Sequence, residues 1–292
     1  MAILINSDTR VLVQGMTGRA GTFYTDLAMR YGTECVAGVR PGKGGSNHVG
    51  LPVFNTVTEA RTETGANASL ILVPPHRAAE AMIEAIEAQI GVIVCVTERV
   101  PVLDMLRVKA ALDGSGSVLV GPNSQGVLSP GLCKIGVMAT RDATPGAVGI
   151  VSRSASLTSE VVAQTSALGL GQSTTIGIGG DPVHGLGFAR TLEMFRTDDD
   201  TSAVVMIGEI GGIEEEEAAA YLSKTDYGKP VIALVVGRHA PAERRMGHAG
   251  TLAMMGARSA AQKAQGLADA GAIIAEDADA VAPAVQKALQ GG

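Results

Sequence analysis

Tryptophan is absent from this 292-residue chain, aromatic residues amount to 3%, and cysteine occurs three times. Without bulky rings, any core has to be built from Val, Ile, Leu, Ala and Met. Cys35, Cys95 and Cys133 show neither a CxxC pair nor a metal-ligand spacing. Cys35 and Cys95 lie in apolar runs and read as small buried hydrophobes. An odd number of cysteines without pattern fits a reducing compartment. Basic residues are in deficit, giving a formal net charge of −6. That argues against a general nucleic-acid binder, which presents a basic face, but leaves room for a local anion site. No apolar run reaches membrane-spanning length. The opening Met1-Ala2-Ile3-Leu4-Ile5-Asn6 lacks the basic region and long apolar core of a signal peptide. A cytoplasmic protein is expected, with no membrane and no nucleic-acid partner.

The chain does carry 46% hydrophobic and 18% charged residues, which supports a sizeable core and excludes disorder. Its length suits two domains of ordinary size, and its 38 glycines imply many tight turns. Val11-Leu12-Val13 reads as a buried strand running into Gln14-Gly15-Met16-Thr17-Gly18-Arg19-Ala20-Gly21, with a helix from Thr22 to Tyr31. Glycines between a strand and a helix start are the setting of a phosphate-cradling turn. The spacing is not the dinucleotide GxGxxG, and a Gly-rich turn alone is a weak signal. The next strand, Cys35 to Val39, ends in Arg40-Pro41-Gly42-Lys43-Gly44-Gly45. A dinucleotide site usually has an acidic residue there for ribose hydroxyls. Cations suit a phosphorylated ribose or pyrophosphate better, the plainer alternative being a solvated basic turn.

Strands at Ser69 to Val73, Val92 to Val96 and Val118 to Val120 alternate with helices at Ala78 to Ala88 and Pro101 to Leu112. Continuous apolar strands between helices mean a parallel sheet covered on both faces. Ligands sit at the C-terminal ends of such strands. Gly15 to Gly21, Arg40 to Gly45 and Thr97-Glu98 all fall there and converge on one site.

Thr144-Pro145-Gly146 marks the expected boundary between a domain of residues 1–143 and one of residues 144–292. In the second domain, the strand Val148 to Val151 leads through Ser152-Arg153-Ser154-Ala155-Ser156 into a helix ending near Ala167. Serines there cap the helix or, with its free N–H groups, cradle an anion. Further strands are expected near Thr174 to Ile178, at Ala203 to Ile207 and at Pro230 to Val236, with a helix from Leu186 to Phe195 and a last βα unit from Ala272 to Leu289. Glu209 lies between glycines at the end of a buried strand, where packing explains it poorly. Glu214 to Glu217 occupy the first turn of a helix and read as solvated groups opposing its dipole.

His248 stands on the turn Arg244-Arg245-Met246-Gly247-His248-Ala249-Gly250. An imidazole so presented could be a nucleophile, a base or a ligand, or an unremarkable loop residue. Glu209, His248 and the helix start at Ser154 together form a sensible set for phosphoryl transfer through a phosphohistidine. A metal site would need more ligands than these. His48, His76, His184 and His239 lack companion spacing.

With these motifs in place, the chain resembles the α subunit of succinyl-CoA synthetase (succinate–CoA ligase) over almost its whole length. The resemblance is carried by Gly15 to Gly21, Pro41 to Gly45, Leu51 to Val57, Gly121-Pro122-Asn123, Val151 to Ser154, Gly177 to Pro182, Met206 to Gly212 and Arg245 to Gly250. It implies an α/β architecture, a Rossmann-like CoA-binding domain followed by a flavodoxin-like ligase domain, both with mainly parallel sheets. It implies His248 as the phosphorylated histidine, held by Glu209. It implies a coenzyme A site lined by Thr17, Gly18, Arg19, Ala20, Lys43, Val96, Thr97 and Glu98; the phosphate contacts expected at Ser154, Ala155 and Ser156 come from the helix start itself. ATP or GTP with Mg2+ would be bound by a β subunit of ATP-grasp fold, in an αβ or α2β2 assembly.

The departures from the family pattern cluster. Gly-Pro-Asn-Cys-Pro-Gly becomes Gly121-Pro122-Asn123-Ser124-Gln125-Gly126, and Ser-Arg-Ser-Gly-Thr-Leu-Thr-Tyr-Glu carries Ala155, Ser156 and Ser159 in place of Gly, Thr and Tyr. His184 stands where an apolar residue or proline is expected. Asn123, Ser124, Gln125 and Ser159 are therefore expected to bind the acid. They point to a substrate other than succinate, such as a hydroxy-, sulfo- or sulfino-carboxylate or a tricarboxylate, with succinate itself as the alternative. A CoA-binding regulatory protein without catalysis is disfavoured by His248 and Glu209. A nicotinamide oxidoreductase is disfavoured by Arg40 and Lys43.

Overall fold

The computed structural model describes residues 3–240, 247–251 and 258–291. The first half opens with β1 (Arg10–Gln14), α1 (Arg19–Tyr31), β2 (Glu34–Val39), β3 (Asn47–His48), β4 (Leu51–Phe54) and α2 (Val57–Thr64). It continues with β5 (Ala68–Ile71), α3 (Pro75–Glu87), β6 (Val92–Cys95), α4 (Val102–Leu112) and β7 (Val118–Val120). These strands form a seven-stranded sheet in the order β3-β4-β2-β1-β5-β6-β7. It is parallel except at the β3–β4 hairpin. Leu12, Val13, Leu70, Ile93 and Val94 are buried in it. Such apolar runs suit strands with helices on both faces.

The second half contains β8 (Gly126–Ser129), β9 (Cys133–Gly136), β10 (Pro145–Ser152), α5 (Ala155–Ala167), β11 (Gln172–Gly177), α6 (Phe188–Arg196) and β12 (Ala203–Glu209). It ends with α7 (Glu214–Ser223), β13 (Val231–Val236), α8 (Ala260–Asp269), β14 (Ile273–Ile274) and α9 (Val281–Gln290). Its sheet runs β14-β13-β12-β10-β11-β8-β9, with the β11–β8 and β8–β9 pairs antiparallel and the other pairs parallel. The β8–β9 hairpin precedes Thr144, so the chain changes sheet between β7 and β8, upstream of the expected boundary. The reason is pairing: β8 bonds to β11, at Gly126 against Gly177, Val127 against Ile176 and Leu128 against Thr175.

Glycine lets the two strands of the hairpin close. A Cβ on Gly126 would lie 2.0 Å from the Ile135 carbonyl oxygen. The halves also meet at the edge of the first sheet, where the amides of Gly185 and Leu186 donate to the carbonyls of Gly121 and Leu119 at 2.9 and 2.7 Å. Among the described residues, no helix is long and apolar enough to cross a membrane.

Candidate active site

In each sheet the winding reverses beside one strand. β1 lies between β2 and β5, and β10 lies between β11 and β12. The crevice beyond such a strand's C-terminal end is where open α/β sheets bind ligands. Both crevices carry residues expected from the sequence.

At β1, Thr17, Gly18, Arg19, Ala20, Arg40 and Arg77 line a cavity of about 730 Å³. Gly15 adopts φ +87°, and a Cβ on Gly21 would approach the Gly15 oxygen to 2.1 Å, so the turn closes only with glycine. Gly18 caps α1 without a side-chain bond, leaving first-turn amides for an anion. The Arg40 guanidinium donates to Thr17 Oγ1 at 2.6 Å, adding positive charge beside them. Asn55 Oδ1 accepts the amides of Gly42 and Gly44 at 2.9 and 3.0 Å and holds the basic loop. Lys43, on that loop, is exposed and does not line the cavity. Thr97 abuts the cavity wall by donating to the Val73 carbonyl at 2.6 Å, Val96 is half-buried beside it, and Glu98 is exposed. Burial pushes the Cys95 thiol up to about 12, so it is protonated at neutral pH.

At β10 the structure brings His248 and Glu209 together. The imidazole Nδ1 lies 2.8 Å from Glu209 Oε2 and 3.1 Å from Oε1. Arg153, directly after β10, is buried and places its Nε 3.2 Å from Glu209 Oε1, out of line for a hydrogen bond. The same guanidinium donates to the Asp181 carbonyl at 3.3 Å. The histidine turn is tightly seated. A Cβ on Gly180 would reach 2.3 Å from the imidazole Cγ, and the Gly250 amide donates to the Gly180 carbonyl at 3.0 Å. Thr251 Oγ1 donates to the His248 carbonyl at 2.7 Å. Arg244, Arg245 and Met246 lie outside the described residues. The imidazole itself is partly exposed, at 34%.

The hydrogen bond to Glu209 raises the His248 pKa above its ordinary range, against partial burial. Glu209 and Asp181 favour the imidazolium by charge, and Arg153 opposes it. The bond therefore stabilises the fold below about pH 6.5, the unfolded value, and this contribution is lost as pH rises through the raised value. We expect an NMR titration of the His248 ring to give a midpoint above about 6.5 and Glu209→Gln to bring it down. An unchanged midpoint in that variant would show that Glu209 does not tune the ring.

Ser154 caps α5 by accepting the Leu157 amide at 3.3 Å, and Ala155 and Ser156 form the exposed first turn. The expected acid-binding residues divide. Asn123 donates to Asp181 Oδ1 at 3.0 Å, and its amide to the Thr97 carbonyl at 2.9 Å, so it joins the two crevices. Burial pushes Asp181 up, against that hydrogen bond and with help from Glu98. Ser124 and Gln125 are turned inward, contrary to expectation. The Ser124 hydroxyl donates to the Gly177 carbonyl and accepts the Gly126 amide, and the Gln125 amide donates to Thr158 Oγ1 at 2.6 Å. They satisfy the β8–β11 junction. Ser159 is exposed on α5, bonded to the Ala155 carbonyl at 3.2 Å.

Glu214 to Glu217 are not a solvated run. Glu215 is fully buried, and Glu216 lies 3.3 Å from Lys263. The Glu214 carboxylate accepts the Phe188 amide at 3.2 Å and lies 3.4 Å from His184 Nε2. His184 is buried, and desolvation lowers its pKa against the pull of Glu214. Only Glu217 is exposed. The part of Arg153 was legible only as a letter of the Ser152-Arg153-Ser154 motif. That of Lys263, on a polar helix, had no sequence signal.

With a phosphate-type cradle in one α/β domain and a carboxylate-held histidine in the next, the chain matches acid–CoA ligases. Residues 6–99 match the CoA binding domain family and residues 151–273 the CoA-ligase family. The chain belongs to the family of α subunits of ADP-forming succinate–CoA ligase, and is an acid–thiol ligase subunit that uses coenzyme A. It is 51% identical to the Aquifex aeolicus subunit, over 99% of this chain and 95% of that one. The Staphylococcus epidermidis subunit is 49% identical over 93% of this chain and 89% of that one.

The fold is shared with ATP citrate lyase from Methanothrix soehngenii, at TM-score 0.86 and 23% identity. It is also shared with a Korarchaeum cryptofilum acetyl-coenzyme A synthetase, at 0.76 and 18%. This chain is covered to 99% and 94% in these comparisons, but spans 52% and 59% of those longer chains.

Proposed function

We propose that the chain is the α subunit of a succinate–CoA ligase and that His248 carries the phosphoryl group. The observation that carries the reading is the 2.8 Å contact between His248 Nδ1 and Glu209. With Nδ1–H held by the carboxylate, the lone pair resides on Nε2. Nε2 attacks the γ-phosphorus of ATP; the N–P bond forms as the bond to the ADP oxygen breaks. Glu209 stabilises the positive ring. A substrate carboxylate oxygen then takes the phosphoryl group, regenerating the imidazole and giving an acyl phosphate. The coenzyme A thiol attacks its carbonyl carbon; the C–S bond forms as the C–O bond to phosphate breaks, and the thiol proton leaves with the phosphate.

In this reading the first-turn amides of Ala155 and Ser156 and the Ser154 hydroxyl hold phosphoryl oxygens, the Ser154 amide being donated to Ser152 Oγ at 3.0 Å. Thr17, Gly18, Arg19 and Ala20 hold coenzyme A phosphates, and Lys43, Val96, Thr97 and Glu98 border the path of the thiol arm. ATP with Mg2+ comes on a β partner, an ATP-grasp subunit, in a cytoplasmic αβ or α2β2 assembly. The three buried free cysteines suit a reducing compartment.

Succinate is the acid that the names of the relatives support, and the Ser124 hydroxyl and the Gln125 side-chain nitrogen are bonded within the protein rather than offered to another acid. A larger or more polar acid is the second reading, favoured by small, exposed Ser159. A panel of acids turned over by the purified complex tests both. Succinate is expected to give the highest kcat/KM; a sulfo-, hydroxy- or tricarboxylate ahead of it by tenfold or more, about 1.4 kcal/mol, would reverse the choice.

A further inference from the structure

Behind Glu209 lies a buried ion pair that the reaction as described does not use. Lys263 on α8 and Glu215 on α7 have side chains with no exposure. The Lys263 ammonium donates to Glu215 Oε2, to the Gly211 carbonyl at 2.7 Å and to the Gly212 carbonyl at 3.1 Å. An ammonium has three donors, and these acceptors use them all. The other oxygen of Glu215 accepts the backbone amide of Glu209 at 2.9 Å.

One carboxylate is thus bonded on one side to the ammonium and on the other to the peptide bearing the group that holds His248. The turn has no slack. A Cβ on Gly208 would come within 2.6 Å of Glu215 Oε1, and one on Gly211 within 2.3 Å of the Gly250 oxygen, two residues beyond His248. Apolar side chains of similar volume commonly replace a buried ion pair without loss of stability, so packing alone does not account for these charges.

We infer that Lys263 and Glu215 are positioning residues, which hold the 208–212 turn and thereby set the Glu209 carboxylate against the His248 imidazole. The inference rests on His248 as the phosphoryl carrier. Among the described residues, the charged groups facing the ring are Glu209 at the end of β12, Arg153 after β10 and Asp181 after β11.

The test uses the complex with its β partner and the rate of histidine phosphorylation by ATP in a single turnover, across pH. In Lys263→Met/Glu215→Leu, volume is kept and the tether is lost. The rate should fall about a hundredfold, as for small displacements of a reacting group, and its acid limb should move down, while KM for coenzyme A stays unchanged. Lys263→Met/Glu215→Gln restores an acceptor for the Glu209 amide but no donor for the Gly211 and Gly212 carbonyls, and should regain part of the rate, ending between the leucine variant and wild type; it carries the test alone should the leucine variant not fold. A leucine variant with wild-type rate and limb, or a folded glutamine variant that regains nothing, overturns the inference and leaves the phosphohistidine intact. Absence of acid-labile phosphate from the wild-type complex overturns both together.

Discussion

Replacing His248 with alanine should abolish net acyl-CoA synthesis and leave coenzyme A binding at wild-type strength. The two crevices lie beyond different sheets, and none of the residues lining the cavity at β1 belongs to the second domain. Two of the other imidazoles are committed elsewhere. His184 is buried, with Nδ1 engaged by the Leu186 carbonyl at 3.0 Å, and His48 sits in the first domain against Thr22. Calorimetric titration with coenzyme A, alongside an assay of acyl-CoA formation, gives the two readouts. Residual turnover above a few per cent would exclude His248 as the obligatory carrier. Loss of coenzyme A binding would show that the two sites are not separate.

The second large effect is expected at Gly180, which contributes no reacting group. An alanine there places a methyl 2.3 Å from the imidazole Cγ, nearer than carbon atoms pack. Relief by rotation of the ring breaks the contact with Glu209. Relief by movement of the turn breaks the Gly250 amide bond to the Gly180 carbonyl, 3.0 Å long. Either way the phosphorylation rate should fall about a hundredfold or more, with a stability loss of about 1–3 kcal/mol typical of overpacking. Single-turnover labelling and thermal unfolding separate the two effects. A Gly180→Ala chain that phosphorylates at the wild-type rate would mean that the ring works in a position other than the one seen.

The parts of the fold that were legible in the sequence were those whose physics is local. Val11 to Val13, Val92 to Val96 and Ala203 to Ile207 are strands buried on both faces, so each is a continuous apolar run. The pairing of Glu209 with His248 was legible for a related reason, because a carboxylate between glycines after such a strand has no role in packing. The β8–β9 hairpin was not legible. Its strands are short, and the pairing of β8 with β11 is decided by backbone bonds to residues far along the chain.

Lys263 and Glu215 were hidden by the opposite effect. A lysine on an amphipathic helix and a glutamate in an acidic run each look solvated, and only tertiary packing sets them against one another. Ser124 and Gln125 were expected at the acid because a change of residue type beside a ligand site invites a ligand explanation. Their hydroxyl and amide instead satisfy groups at the Gly177 carbonyl and at Thr158.

The antiparallel hairpin at residues 126–136 also bears on how such chains can be recombined. It is carried in the sequence ahead of the second domain but belongs to that domain's sheet. A gene cut at Thr144 would strip β11 of its neighbour and leave the hairpin attached to a half that offers it no strand. Bare strand edges of that kind invite pairing with other molecules. Exchange of domains between relatives therefore has its natural crossover between Val120 and Gly126, in the stretch where Asn123 already spans the two crevices.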